Sequence, residues 1–518
     1  MTSDHSTDSS STSSSLALVP GIPERVHMLG IGGAGLSGAA RLLLAQGHRV
    51  SGHDRCESPF GLALKALGVP IELGEAARAG IPDEVRLVVR SAAIPDSDPQ
   101  VLEARKRGLP VWKYADLLGR IGPARRTMAV AGTHGKTTSS WMLYHALAGV
   151  ARLTGTPAPG ALVGGTDIAL GTNALAPGAA PESDFIPRPG RDSGIASSGA
   201  RQATSGWFAV EACEYDRTFL QINPEGAIVT NVEADHLDYY GSLEAVEEAF
   251  ARFLDRVHPD GLVVCGADVP ECVTHAAAPR VWRLGRELHI DSLSEEGGCH
   301  EFRLRGPGWA TPPVKLCVPG VFNVENAALA IALAVGLAGG SHEPRQVARA
   351  AAEALSASRG VERRFEPWFR QGDIEVIHDY AHHPTEVRLN IEAARRRAPD
   401  RPVHVLFQPH QHSRTARFLG DFVEALRTAH GVVVTDVYGA RRQIDSQAAG
   451  AEELVRRLHL ARVKASFGGP ALEAGRSLVQ GLPDACTVLV LGAGDIDGIR
   501  DDLEERLAMR GAATCIVS

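Results

Sequence analysis

The chain has no apolar run as long as the ~18 residues a membrane-spanning helix needs; its longest candidate, around Ala327–Ala338, falls short. It has no Cys-x-x-Cys pair. Its eight cysteines (Cys56, Cys213, Cys265, Cys272, Cys299, Cys317, Cys486 and Cys515) are scattered, which predicts reduced thiols and no structural zinc. It has no basic excess, with 53 Lys+Arg against 61 Asp+Glu and a net charge of −8, and so lacks the basic face of a general nucleic-acid binder. The first fifteen residues contain no Lys or Arg, so the charged start of a signal peptide is missing. These absences predict a cytoplasmic protein with no membrane span. No repeat of solenoid period is present, and no Lys occurs between Thr137 and Val314.

What is there suffices for several cores. At roughly 100–200 residues per domain, the 518 residues, 44% hydrophobic and 22% charged, predict about three α/β domains. Residues 1–20 are a polar, low-complexity lead that cannot bury enough apolar surface to order itself. Val26–Leu29, a glycine-rich turn, a helix-like stretch Leu36–Gln46 and a second apolar run Val50–Asp54 form a βαβ opening, which implies a mostly parallel sheet. Leu87–Arg90 reads as a further strand of this unit. A second strand–turn–helix begins at Thr127–Ala131, with its helix starting near Ser139, and places a boundary near residue 125. The first domain is therefore expected over 21–125 and the central one over 126–361. A Gly/Ala/Pro/Ser-rich stretch from Gly155, most extreme over 172–205, reads as a flexible insertion. Trp207–Glu211 and Gly226–Thr230 read as buried strands. A third unit, 362–518, carries expected strands at Glu375–His378, Val403–Phe407, Val432–Asp436 and Thr487–Leu491.

Gly132-Thr133-His134-Gly135-Lys136-Thr137-Thr138 lies between a strand and a helix. Small residues let backbone N–H groups turn inward on anionic oxygens, and the helix N-terminus adds partial positive charge. Lys136 can reach terminal phosphates and the Thr137 hydroxyl can join a Mg²⁺ shell. The loop is a shortened variant of the general phosphate-loop pattern. It resembles the ATP loop of the Mur ligases, the amide-forming enzymes that build the peptidoglycan stem peptide. Thr230-Asn231-Val-Glu233-Ala-Asp235-His236, Asn323-Val-Glu-Asn326, Asp379-Tyr380-Ala-His382-His383-Pro-Thr-Glu386, Phe407-Gln-Pro-His410 and Gly492-Ala-Gly-Asp495-Ile are similar to later family motifs in the same order, across residues 25–500.

The resemblance implies three domains: an N-terminal Rossmann-like UDP-binding domain, a central ATPase-like domain and a C-terminal Rossmann-like domain. It implies the branch that joins L-alanine to the lactyl carboxylate of UDP-N-acetylmuramate, with ATP and Mg²⁺. A carboxylate is a poor electrophile, so ATP converts it to an acyl phosphate that the amine attacks. The protein then supplies positioning and charge stabilisation. Gly132–Thr138 would cradle phosphate, and Lys136 and Arg364 would face the transferred group. Thr137, Glu211 and His236 would hold metal, with Lys136, Glu211, His236 and Arg364 as the catalytic set. The missing lysine agrees with the branch in which His, not a carbamylated Lys, serves the second metal. Asn323 and Asn326 would meet adenine, though Asn326 can equally be a helix N-cap, and Asp379 would meet the ribose.

Gly30-Ile-Gly32-Gly33-Ala-Gly35, with Asp54 further on, fits a dinucleotide fingerprint. An NAD-dependent oxidoreductase is therefore one alternative, but it leaves the second phosphate loop unexplained. The resemblance gives this loop, with Ser37, Asp54 and Ser91, to the UDP-sugar. It places Tyr380, His382, His410 and Arg414 around L-alanine, Arg414 pairing with its carboxylate. Two departures bear on strictness for L-alanine: Gln411 where the family usually has Arg, followed by His412 where Tyr is common, and His378 where it has Asp. A ligase that adds a whole tripeptide to the same sugar, and a non-catalytic nucleotide binder, are the remaining alternatives. Small-molecule partners and a monomer or dimer are expected.

Overall fold

Short β-branched runs separated by amphipathic helices build stacked α/β layers, and the protein does so three times. The structure, a computed structural model, describes residues 18–75, 80–122, 126–179, 206–274, 280–338, 342–439 and 450–517. Most of the N-terminal lead and residues 180–205 of the expected insertion lie outside the described residues. No helix among those described is long and apolar enough to cross a membrane.

The first sheet holds β1 (Arg25–Leu29), β2 (Arg49–Asp54), β3 (Ile71–Leu73), β4 (Leu87–Arg90) and β5 (Val111–Lys113). All pairs are parallel, in the order β3-β2-β1-β4-β5. The order reverses beside β1, so the glycine loop after β1 opens at the switch point where such sheets bind ligands.

The second sheet holds β6 (Arg126–Ala131), β7 (Gly160–Asp167), β8 (Thr172–Leu175), β9 (Trp207–Glu211), β10 (Gly226–Val229), β11 (Leu262–Cys265) and β12 (Val281–Arg283), in the order β12-β11-β10-β6-β9-β7-β8. It is parallel except for the β7–β8 hairpin. The helix expected from Ser139 begins at Lys136 and runs to Thr154. Lys136 and Thr137 therefore occupy its first turn, where unpaired N–H groups concentrate. The helix packs on Val321–Leu337, an Ala-rich helix buried on most of its surface, and on Pro344–Leu355. Backbones approach so closely that a Cβ on Gly149 would lie 2.2 Å from Ala350 O.

The reading of 172–205 as a flexible insertion needs correction at its start, because Thr172–Leu175 is the buried edge strand β8. Small side chains hid this. Asn173 Nδ2 donates to Ala34 O (2.8 Å) and Ser37 Oγ (3.1 Å), and a Cβ on Gly38 would meet Leu162 Cδ1 at 2.5 Å. The absence of bulk is what lets this hairpin seat the first domain's helix, Ala34–Ala45.

A small antiparallel sheet follows: β13 (His289–Glu296), β14 (Cys299–Gly306), β15 (Trp309–Ala310) and β16 (Val314–Leu316). It overturns the expectation of reduced thiols throughout. Cys299 and Cys317 form a disulfide with Cα atoms 4.1 Å apart. The pairing His300↔Leu316 sets them directly opposite one another at the end of the ladder, a neighbourhood that their separation of 18 residues does not reveal. Cys56, Cys213, Cys265, Cys272 and Cys486 are free thiols.

The third α/β unit holds β17 (Glu366–Gln371), β18 (Asp373–Asp379), β19 (Val403–Phe407), β20 (Gly431–Thr435), β21 (Ala465–Gly469) and β22 (Ala485–Leu491), in the order β17-β18-β22-β19-β20-β21 with only β17 antiparallel. The four expected strands are β18, β19, β20 and β22.

Candidate active site

The site forms where loops from the ends of β6, β9, β10 and β18 converge. The loop Gly132–Gly135 owes its shape to glycine. Gly132 has φ +147°, and a Cβ there would fall 1.9 Å from Thr230 Oγ1; Gly135 has φ +78° and faces the Asn326 amide. Neighbours from the β10 loop fasten it. Asn231 Oδ1 accepts from His134 N (2.9 Å), Thr230 Oγ1 donates to His134 O (2.6 Å), and Thr133 Oγ1 accepts from Glu233 N (2.8 Å).

Lys136 Nζ donates to Gly132 O (2.6 Å), Thr133 O (2.9 Å) and Glu214 Oε1 (3.1 Å). Burial is the largest single influence and opposes its charge, but Glu214, Cys213 and Glu211 together outweigh burial and raise its pKa, so the ammonium stays charged and held back across the loop. Thr137 Oγ1 donates to Glu211 Oε1 (3.2 Å) and accepts from Arg364 Nη2 (3.3 Å). Gly164 N donates to Glu211 Oε2 (2.7 Å), and a Cβ on Gly165 would meet Thr137 Cγ2 at 2.9 Å. The Thr hydroxyl and carboxylates in this cradle are hard oxygen donors of the kind Mg²⁺ takes. His236, with φ +51°, lies 3.8 Å from Glu214 Oε1 and 3.7 Å from Asp235 Oδ2; burial lowers its pKa, leaving an uncharged imidazole.

Asn323 and Asn326 lie inside the helix begun at Val321, whose N-cap is Gly320. The capping alternative for Asn326 therefore fails. Asn323 Nδ2 donates to Pro319 O (2.6 Å) and Asn326 Nδ2 to Asn323 Oδ1 (3.1 Å), aiming the pair at the phosphate loop. Asp379 accepts from Phe365 N and Ala381 N, each at 2.7 Å. It pins the segment carrying Arg364, and burial raises its pKa to about 6.

The central and C-terminal domains are closed upon one another. Asp235 Oδ1 and Arg414 Nη2 are 2.8 Å apart and nearly solvent-free; burial disfavours the Asp235 anion, but Arg414 overrides it and holds the carboxyl well below the usual range. Thr385 Oγ1 donates to Glu233 Oε2 (2.9 Å), and Glu386 Oε1 accepts from His134 Nδ1 (3.2 Å). Glu386 Oε2 also accepts from His382 N (3.0 Å) and His383 N (3.2 Å) at the start of the helix Pro384–Arg397. Burial opposes protonation of His134, yet Glu386 and Glu233 raise its pKa to about 9. His134, Glu233 and His383 could between them offer metal-ligating atoms within 4.8 Å. His383 Nδ1 accepts from Thr385 N (3.3 Å) as the helix cap, while its Nε2 is buried without a hydrogen-bond partner; His134, set between Glu386 and Glu233, forms an ionic latch between the two domains.

Around Arg414, Nη1 lies 3.2 Å from His410 Nδ1, His382 and His410 meet ring to ring at 5.6 Å, and Tyr380 is flanked by Arg363 and Arg364 at 4.8 and 5.0 Å. Burial, then Arg414, lowers His410 to about 4. Burial lowers His382 to about 3, with Arg414 adding to it against Glu386. The four expected amino-acid contacts are thus together, with Arg414 already engaged by Asp235. His378 is elsewhere: fully buried, bonded to Val490 O (2.8 Å) and packed on Trp368 at 4.5 Å. It bears on the core and not on amino-acid choice.

In the first domain, Gly30 turns with φ +79° beneath Ser91, and Asp54 Oδ2 accepts from Gly32 N (2.9 Å). Asp54 thereby shapes the loop. Gly33 N donates to Gly30 O (3.1 Å), and Gly35 abuts the Tyr114 ring. Ser37 is fully buried beneath Asn173 and is taken up by domain docking. Sequence reasoning missed Glu214, Asp235, Glu233 and Glu386 as working groups. The recurrence of Glu three residues after Glu211, past the strand end, was the available signal for Glu214.

Three family models match in order: "Mur ligase family, catalytic domain" over 25–126, "Mur ligase middle domain" over 196–334 and "Mur ligase, glutamate ligase domain" over 363–494. The chain is 36% identical to a UDP-N-acetylmuramate–L-alanine ligase of Rubrobacter xylanophilus, covering 93% of this chain and 100% of that one. It is 37% identical to one of Saccharopolyspora erythraea, covering 96% of each. Among solved structures, UDP-N-acetylmuramate-alanine ligase MurC from Thermotoga maritima superimposes with a TM-score of 0.72 at 28% identity, over 93% of this chain and 98% of the other. A murein peptide ligase of Psychrobacter arcticus shares the fold with a TM-score of 0.67 at 22% identity, over 94% and 99%.

Proposed function

The chain belongs to the Mur ligase family, and from this premise we infer that it is an ATP-dependent ligase that adds L-alanine to UDP-N-acetylmuramate in peptidoglycan precursor synthesis. The observation that carries the reading is the closed phosphate loop, in which Thr137 is shared between Glu211 and Arg364 from different domains. Extensive identity to L-alanine-adding relatives favours that amino acid over a tripeptide. The expected sequence is transfer of the γ-phosphoryl group of ATP to the lactyl carboxylate, releasing ADP. The alanine amine then attacks the acyl phosphate and phosphate leaves with the former carboxylate oxygen.

In this reading Lys136 moves from Glu214 onto phosphate oxygens. The backbone N–H groups of Gly132–Lys136 hold the phosphates, and Arg364 faces the transferred group, where its planar fork spreads charge over two oxygens. Thr137, Glu211 and His236 would hold Mg²⁺, which supplies charge neutralisation to phosphoryl transfer. Asn323 and Asn326 face adenine, and Asp379 sets the Arg364 segment. Gly30, Gly32, Gly33, Gly35 and Ser91 line the UDP-sugar loop, with Asp54 and Ser37 supporting it from behind. Tyr380, His382 and His410 surround L-alanine. Arg414 takes its carboxylate by sharing its guanidinium with Asp235. The latch from His134 to Glu386 keeps water from the acyl phosphate. A cytoplasmic location fits substrates of this kind.

The test is phosphate release from ATP with UDP-N-acetylmuramate present, comparing L-alanine, glycine, L-serine and the tripeptide. Release requiring both the sugar and L-alanine is expected. Preference for the tripeptide, or no acceptor-dependent release, refutes the assignment.

A further inference from the structure

Cys299 and Cys317 join two places that matter for catalysis. Cys299 follows the Gly297–Gly298 turn of the β13–β14 hairpin, where both glycines have positive φ (59° and 78°). The tip of that hairpin rests on the C-terminal domain. Gly298 is packed so tightly under Arg397 that a Cβ would meet Arg397 Nη1 at 2.5 Å, and Arg397 in turn donates to Glu375 Oε1 at 3.0 Å. Cys317 begins the segment that leads into the nucleotide site. Val318 is buried beside Gly360 in the connection between the central and C-terminal domains, and Pro319 O accepts from Asn323 Nδ2 at 2.6 Å. About one turn of helix later, Asn326 faces Gly135 of the phosphate loop.

We propose that Cys299 and Cys317 form a reversible thiol–disulfide switch that couples redox state to nucleotide affinity by tying the interdomain hairpin to the segment that positions Asn323 and Asn326. This rests on the assignment of ATP to the phosphate loop.

Cys317 is exposed and Cys299 half-buried, so small disulfide oxidants can reach the pair. The thiolate of Cys317 attacks one sulfur of a low-molecular-weight disulfide such as glutathione disulfide, breaking its S–S bond and releasing one glutathione thiolate. The thiolate of Cys299 then attacks the Cys317 sulfur of the mixed disulfide, forming the Cys299–Cys317 bond and expelling the second glutathione. The protein loses two electrons, the oxidant gains them, and the two thiol protons end on the released glutathione. Disulfides persisting in a reducing compartment are commonly of this sensing kind. With the bond closed, residues 317–320 have less freedom to lose when nucleotide binds, so binding is tighter; reduction restores that freedom and weakens it.

The experiment uses the full chain, equilibrated with glutathione disulfide or with dithiothreitol. Thiol mapping by alkylation and peptide mass spectrometry locates the bond, and calorimetric titration with ADP reads affinity. The expected result is a Cys299–Cys317 linked peptide in the oxidised protein only, with ADP bound about fivefold or more tightly than in the reduced protein, the low end of coupling between sites. Cys299→Ser/Cys317→Ser should bind as the reduced protein does and ignore the oxidant. Free alkylation of both cysteines after oxidation, equal affinity in the two states, or an undiminished response in the double variant would each overturn the switch. The wild-type comparison stands even if the double variant fails to fold. Absence of ADP binding in both redox states, with the linked peptide still formed on oxidation, would overturn the switch by way of the nucleotide assignment, which the thiol map does not depend on.

Discussion

Glu386→Gln is the sharpest probe of how the two domains hold together. The substitution keeps the side chain's size and leaves an amide oxygen able to accept from His382 N and His383 N, so the helix start at Pro384 should survive. What disappears is one of two negative charges on His134, the nearer at 3.2 Å; Glu233 remains at 3.6 Å. The rise of His134 from 6.5 to about 9 corresponds to on the order of 3 kcal/mol favouring the charged, closed arrangement. The sign follows from a raised pKa. The contribution is full below 6.5, fades as pH rises, and is gone above about 9. The nearer carboxylate should supply most of it, so removal costs about 2 kcal/mol at neutral pH. Thermal unfolding and steady-state ligation, both followed from pH 6 to 10, are the assays. The wild type should lose stability and turnover toward pH 9, whereas the variant should begin lower and show a flatter decline. Superimposable profiles would show that the latch does not depend on a charged His134.

Lys136→Ala should abolish phosphate release yet leave UDP-sugar affinity, measured by calorimetry, nearly unchanged; equal loss of both would refute the division of labour between the first two domains. It should also lower the melting temperature, because Glu214 is left buried without its cation, a defect typically worth about 3–5 kcal/mol. Replacing 180–205 with a short Gly/Ser linker should preserve turnover, while a deletion starting at 172 should collapse it by removing β8 and Asn173; the two deletions behaving alike would contradict the docking role of that strand. His378→Ala should lower stability by about 1–3 kcal/mol through its lost bond to Val490 O while leaving the KM for L-alanine unchanged, and a shifted amino-acid preference would disprove its purely core position.

The alternation of short apolar runs with helical stretches was enough to read three α/β units, since periodicity and glycine turns are local properties. The phosphate loop was legible for the same reason: Gly132, Gly135, Lys136 and Thr137 are adjacent in the chain. The hairpin β7–β8 was not, because Gly, Ala and Thr look like a linker until the first domain's helix, with Gly38 facing Leu162, explains why bulk is excluded. Most of the carboxylates that tune the site were also silent. An isolated Glu or Asp has no pattern, and its role depends on which cation the fold brings to it.

The sequence alone therefore determined the three α/β units, the glycine-rich strand-to-helix loop and the class of chemistry, all of which follow from short-range spacing and residue type. Tertiary structure decided the rest. It sent His378 into the core, paired Arg414 with Asp235, set Lys136 against Glu214, and placed Cys299 opposite Cys317. Each is a contact between residues distant in sequence, whose charge, burial and reactivity are fixed only when the domains and strands that carry them pack together.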